Sequence, residues 1–224
     1  MQRLIKNRPV CALLVSEAAL YIIFLAIDLF FPAWGKASST LKYAGILLCP
    51  VIAVLLRRNA WDRQDSAYLI GALVFTCAAD LFLLLLNKPV YGVVLFCMAH
   101  LLYIRRYRAA WFKPAATITV SAIAICLAVS SFTTAFPLRN ALAMLYGALL
   151  LSVFLLAYTS LLPKKNRRLV MTGMALFLLC DIHVALFNIA GTDNPYYPFA
   201  SFFMWLFYLP AQVLLAVSGY AYAD

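Results

Sequence analysis

The sequence predicts an all-α fold, a polytopic bundle of about eight transmembrane helices, and three observations carry that prediction. Of 224 residues, 66% are hydrophobic and only 12% are charged, far from the mix of a water-soluble domain. The apolar residues fall into eight runs near the length a bilayer demands, about 20 residues for a helix that spans it. The basic residues lie almost entirely between those runs and alternate from one side to the other. Eight runs with short connections use nearly the whole chain, so residues 1–224 read as a single integral membrane domain.

Taken in order, the runs occupy 10–31, 41–56, 67–86, 90–104, 115–134, 141–162, 169–190 and 199–220. The second and fourth are short. Pro50 lies inside the second, and Arg105 and Arg106 close the fourth, where long basic side chains can snorkel to the interface. The first run follows Arg3, Lys6 and Arg8 in the manner of a signal peptide, but its length and its Glu17 and Asp28 identify a retained helix. All six cysteines, Cys11, Cys49, Cys77, Cys97, Cys126 and Cys180, fall inside these runs and read as reduced packing residues. There is no CxxC, HExxH or His/Cys cluster, so the sequence signals no metal and no cofactor.

A net charge of +10 could suggest nucleic acid, but the distribution of Lys and Arg excludes that reading. The N-terminus and the connections after runs two, four and six carry 3, 3, 4 and 4, whereas the other connections carry 2, 1, 1 and 0 when Lys42, at the head of run two, is counted with the connection before it. This is the positive-inside pattern. With an even helix count it puts both termini in the cytoplasm, of a bacterial cell membrane by expectation. The Arg105–Arg106–Arg108 and Lys164–Lys165–Arg167–Arg168 clusters read as topology signals that also meet anionic lipid headgroups.

Ionisable residues within the hydrocarbon are costly unless they are paired or line a wet cavity, which makes them functional candidates. Glu17, Asp28, Asp80 and Asp181 lie within the runs, as do His100 and His183. Asp62, Asp65, Asp193 and Asp224 read as loop or terminal residues. Run three, GALVFTCAADLFLLLLN, and run seven, GMALFLLCDIHVALFN, look like copies: an early glycine, one aspartate, and an asparagine seven residues on. Seven residues make almost two turns, so Asp80 is expected to share a face with Asn87, and Asp181 with Asn188. Each copy is followed by an aromatic-rich run, which suggests two four-helix repeats in the same orientation.

Depth tests whether these groups can meet. At about 1.5 Å per residue from the outer ends, Asp80 lies ~10 Å deep, Asp181 ~13 Å, and His100 and Tyr208 ~15 Å. Helical spacing then sets Tyr103 beside His100, Thr76 beside Asp80 and Gln212 beside Tyr208, while Pro210 frees a backbone carbonyl nearby. Thr76, Gln212, Asn87 and Asn188 can equally serve as interhelical hydrogen-bond glue. Carboxylates are a costly choice for that role, which singles out Asp80 and Asp181. His183, about 200° around the helix from Asp181, faces elsewhere. Glu17, Tyr21, Phe24 and Asp28 form one stripe, since 11 residues return the helix to nearly the same angle; Glu17 is expected to line the same cavity and Asp28 to be solvated near the outer interface.

The stretch from Gly71 to Tyr103, with small Ala79 before Asp80 and then F-x-M-A-H-L-L-Y from Phe96, resembles the YhhN-like lysoplasmalogenase family. The second half is similar too, in Cys180–Asp181, Ala185–Leu186 and the aromatic run into Gln212. The likeness covers most of the chain, and its specific part is the two hairpins. The family often has glycine before the first aspartate and serine before the second, where this chain has Ala79 and Cys180. Both are small, so close packing survives, but no serine hydroxyl is available there.

The resemblance implies a polytopic membrane hydrolase that cleaves the vinyl ether of lysoplasmalogens to a fatty aldehyde and a glycerophospho-base. It points to Asp80 and Asp181 as the catalytic acidic pair, with His100, Tyr103 and Gln212 as neighbouring positions. Tyr208, Glu17, Asn87 and Asn188 complete the expected substrate-binding set. The expected partners are a lysophospholipid substrate and bilayer lipids, with no nucleic acid. Two rival readings use the same sequence differently: a transporter or lipid-binding protein in which the acids bind protons or a headgroup, and a non-catalytic scaffold.

Reporters fused after Asp224 and within 164–168 should both read cytoplasmic in a topology assay. An external C-terminus would show that the spans have been miscounted.

Overall fold

A computed structural model describes residues 7–107, 138–190 and 195–222. Among them are seven α-helices and no strand: α1 (Arg8–Phe30), α2 (Gly35–Leu56), α3 (Arg63–Asp80), α4 (Pro89–Tyr107), α5 (Leu138–Tyr158), α6 (Lys164–Ala190) and α7 (Tyr197–Val217). Five of the helical segments, Arg8–Phe30, Pro32–Asn59, Arg63–Leu85, Lys164–Asn188 and Tyr197–Val217, are long and apolar enough to cross a membrane. The expected span at 115–134, with Cys126, lies outside the described residues.

Consecutive helices pack as antiparallel neighbours from α1 to α4, and α4 continues through α5 and α6 to α7. Helix α7 then returns against α1, α2 and α3, which makes it the staple of the bundle. Its buried residues include Trp205, Tyr208, Leu209, Gln212 and Leu215, whereas α1 buries only Val10, Glu17 and Phe24, a seven-residue recurrence that gives it one narrow inward stripe. Val15, Ile22, Ile23, Leu29 and Phe30 of the same helix are exposed, as expected of a helix that faces lipid.

Local chemistry explains the helix ends. Asn7 caps α1 by accepting from the Val10 amide, and Asp62 caps α3 by accepting from the Gln64 amide at 2.8 Å. Helix α3 widens after Asp80 into a π turn, Leu81–Leu85, closed by the Leu86 amide on the Leu81 carbonyl at 3.0 Å. Asn87 then takes a positive φ of 50°, a conformation asparagine tolerates better than most residues, and Pro89 opens α4. The hairpin is tight because Gly92 has no side chain: a Cβ there would lie 2.6 Å from Leu83 and 3.1 Å from the Ala79 carbonyl.

Two expectations about length and charge are corrected. Helix α2 begins at Gly35, about six residues before the expected start, because the polar turn 36–40 continues the helix outward from Lys42. That lysine is buried against Asp28 of α1, Nζ to Oδ2 2.7 Å, with its ammonium 4.9 Å from the Trp205 ring centre. Asp28 also accepts from Ser38 at 2.6 Å, so it is an ion-pair partner rather than a solvated residue.

Asp65 and Arg106, expected in connections at the basic end, are each only 1% exposed. Arg106 Nε and Nη2 donate to the two Asp65 carboxylate oxygens at 2.9 and 3.1 Å, and Nη1 donates to Ser218 Oγ at 2.9 Å. Trp61 Nε1 adds a third donor to Asp65 at 3.0 Å. Asn166 Nδ2 donates to the carbonyls of Ser218 and Tyr220, both at 2.7 Å. The Ala221 amide reaches the Asn59 carbonyl at 2.8 Å. The chain end after α7 is thereby fastened to α3, α4 and α6.

Arg106→Met is expected to lower stability by about 3–5 kcal/mol, because it strands a buried carboxylate. Asp65→Leu in the same protein should restore most of that loss. Reversible unfolding in detergent measures both; a single variant as stable as the parent would show that the pair carries no structural weight.

Candidate functional site

Asp80 closes the regular part of α3, and Tyr208 of α7 donates its hydroxyl to Asp80 Oδ2 at 2.6 Å. Asp181, on α6, receives the hydroxyl of Tyr146 from α5, and the small Cys180 precedes it. Each aspartate therefore holds its own tyrosine, and the two carboxyls are near enough to interact electrostatically. Tyr43 and Cys77 also lie within the electrostatic reach of Asp80.

Aromatic packing ties the two pairs together. Phe177 touches both Tyr208 and His100, with ring centres 5.4 Å apart in each case. His100 stands edge-on to Tyr146 at 5.3 Å and to Tyr103 at 6.3 Å. Its Nδ1 is bonded to the Phe96 carbonyl one turn back at 2.7 Å, which leaves Nε2 unpartnered among the described residues. The Tyr103 hydroxyl, Thr76 Oγ1 and both ends of the Gln212 amide are also buried without a partner among them. Asp80 and Tyr208 thus meet directly, Phe177 links Tyr208 to His100, which stands beside Tyr103, and Gln212 is buried one turn beyond Tyr208 on α7.

Other expected residues fall elsewhere. The π turn breaks the 3.6-residue phase after Asp80, so Asn87 does not share its face but sits exposed in the turn. Asn188 is exposed as well, and its Nδ2 donates to the Val184 carbonyl one turn back at 2.7 Å. His183 packs on Phe203 and Phe207, away from the aspartates, as its helical angle implied.

Glu17 is 3% exposed and accepts from the Cys49 thiol at 3.5 Å. It forms part of a groove of about 300 Å³ between α1 and α7, otherwise lined by apolar groups such as Leu14, Ala18, Leu209 and Val213. Gly45 lets α2 come this close, since a Cβ there would stand 3.2 Å from Glu17 Oε2 and 3.1 Å from Leu209.

Tyr146 is the functional residue that sequence spacing misses, since it is a single hydroxyl in an apolar run and its partner is 35 positions away on another helix. Among the described residues no group of three His, Cys, Asp or Glu side chains is placed to hold a metal ion. The chemistry at hand is therefore that of two carboxyls, two phenols and an imidazole: proton transfer, and stabilisation of positive charge.

Tyr208→Phe and Tyr146→Phe are each expected to lower stability by about 1–3 kcal/mol, the cost of leaving a buried acceptor short of a donor. Thermal unfolding of the purified variants in detergent provides the check. An unchanged transition in both would remove these hydroxyls from the account of the site.

A family model described as the YhhN family matches residues 37–219. The matched stretch runs from the start of α2 through the clamped chain end and contains Asp80, His100, Tyr146, Asp181 and Tyr208. No curated protein and no solved structure matches the chain.

Proposed function

The chain belongs to the YhhN family, and we propose that it is an intramembrane hydrolase that cleaves the vinyl ether bond of a single-chain, lysoplasmalogen-like phospholipid. The observation that carries this reading is the pair of aspartates, each bonded by a tyrosine, set into one interior layer by α3, α5, α6 and α7. Interhelical glue can be made from amides, whereas two carboxyls in a bilayer interior are retained where a proton must move.

The chemistry follows from that geometry. One carboxyl delivers a proton to the β-carbon of the enol ether, and the C=C electron pair takes it up. The resulting oxocarbenium ion is stabilised by the other, ionised carboxyl, in the way glycosidases treat a similar state. That carboxylate takes a proton from the attacking water, whose oxygen bonds to the cationic carbon and gives a hemiacetal. Collapse of the hemiacetal releases fatty aldehyde and the glycerophospho-base alcohol. Each tyrosine fixes the rotamer of its aspartate, and the Phe177 ring packs between Tyr208 and His100. The proposed bundle has about eight helices in all, with both termini in the cytoplasm and the α3–α4 and α6–α7 hairpins as repeats.

Asp80→Asn and Asp181→Asn are each expected to abolish aldehyde release from a vinyl ether lysolipid while folding is kept, since Asn matches the shape but does not cycle a proton. Loss of a general acid typically costs about 10²–10⁴-fold, so a variant that retained more than about a tenth of the parent rate would sink the acid-pair mechanism. His183→Gln should stay close to the parent. Flux of lysolipid across liposomes with no product formed would instead mark a transporter.

A further inference from the structure

Hydrolysis consumes one water per turnover, and the hydrocarbon around this bundle has none to give. We propose that a file of water molecules, held by Thr76, His100, Tyr103, Tyr107 and Gln212, runs from the basic end of the bundle to the acid pair and supplies the hydrolytic water. This inference rests on the hydrolase reading for its purpose, but not for its existence.

The five residues are 0 or 1% exposed, and each has a side-chain polar atom with no hydrogen-bond partner among the described residues; for Gln212 this holds at both Oε1 and Nε2. Buried polar atoms are almost always bonded, and where protein does not serve them ordered water does, each molecule making about three bonds to such groups. One unpaired atom could be an isolated accident of packing. These form a line.

On α4, residues 100, 103 and 107 recur at spacings of three and four and share one inward face, with ring centres in series at 6.3 and 6.0 Å. On α3, Thr76 stands one turn from Asp80 toward the basic end, and on α7 Gln212 stands one turn from Tyr208 in the same direction. The two helices run antiparallel, with Tyr208 on Asp80 at one level and Gly219 against Leu69 at another. Thr76 and Gln212 therefore face each other at the level between. The column begins at the aspartates and ends beside the Arg106–Asp65–Ser218 network, where Ser160 Oγ and Asn166 Oδ1 are also buried and unpartnered.

None of these five residues is charged in a way that would trap an ion, and apolar side chains fill the bundle around them, so the ligand chemistry is that of a neutral molecule that both donates and accepts. Hydroxyl and amide groups at one-turn intervals suit water, whereas a lipid chain would leave their polar atoms unbonded. In this arrangement Tyr103 and Gln212 serve the reaction through water rather than by contact with the headgroup.

Hydroxyl-radical footprinting of the intact protein in lipid nanodiscs tests the file directly, because radicals generated from bound water oxidise the side chains next to it. With each rate normalised to the denatured chain, Tyr103 and Tyr107 should be labelled well above Phe24 and Leu149, which are as deeply buried but belong to no part of the file. Labelling of the tyrosines no faster than these two residues would overturn the proposal.

Tyr103→Phe and Gln212→Leu, which keep bulk and packing, should reduce labelling at Tyr107 and lower kcat by about tenfold or more. Binding of a saturated, non-hydrolysable ether lysolipid should be unchanged. Full turnover in both variants would show that the column does not feed the reaction. Labelled tyrosines in a parent protein that releases no aldehyde would instead retire the hydrolase reading and leave the water file standing.

Discussion

Inside a bilayer every backbone carbonyl needs a donor from the protein itself, and two prolines set this requirement at the centre of the bundle. Pro50 has no amide hydrogen to offer the Ile46 carbonyl, and Pro210 has none for the Leu206 carbonyl. Neighbouring helices supply the missing donors: the Cys77 thiol of α3 reaches Ile46 at 3.2 Å, and the Tyr21 hydroxyl of α1 reaches Leu206 at 2.8 Å. Cys77 lies three residues before Asp80, and Pro210 two residues after Tyr208. The bonds that repair the backbone are thus the ones that fix α3 against α2 and α7 against α1 at the level of the acid pair. A helix that shifted would lose both a backbone bond and the geometry of a carboxylate.

Hydropathy made the helices legible, because a run of about 20 apolar residues has few alternatives in structure. It failed where a charge lies inside a helix. The polar stretch 35–40 ends the apolar window in one dimension, yet in three dimensions Asp28 holds both Ser38 and Lys42, and Trp205 covers the lysine, so α2 continues outward to Gly35. Asp65 and Arg106 were assigned to connections for the same reason. Their partnership spans 41 positions, and no local pattern records it. Residue charge is a property of the sequence, but its cost depends on a partner that only the fold supplies.

The site was legible to the extent that its members repeat at helical spacing. Asp80, His100, Tyr103, Tyr208 and Gln212 could be grouped because depth is nearly additive along a straight helix. The same extrapolation placed Asn87 beside Asp80, and there it broke down, since one π turn rotates everything beyond it. Tyr146 was invisible for a different reason. Nothing in the run LRNALAMLYGALLLSV marks one phenol as a hydrogen-bond donor until α6 brings Asp181 to it.

The two Asp–Tyr pairs come from different helix pairs, α3 with α7 and α5 with α6, so the site exists only when the ring of helices is closed and in register. Register along the bundle axis is the weakest constraint in such a structure, because apolar side chains slide past one another at little cost, and one turn of slip moves a side chain by about 5.4 Å. Such a slip would carry Tyr208 out of reach of Asp80. What resists it is directional bonding at the far end of the same helix: Asn166 on the Ser218 and Tyr220 carbonyls, and Arg106 on the Ser218 hydroxyl. Ser218 lies ten residues beyond Tyr208, about 15 Å along the axis. A buried ion pair that adds little stability over an apolar equivalent has a reason to be kept where it specifies register. On that argument the clamp at the basic end and the acid pair are parts of one device, the first fixing the height of α7 and the second using it.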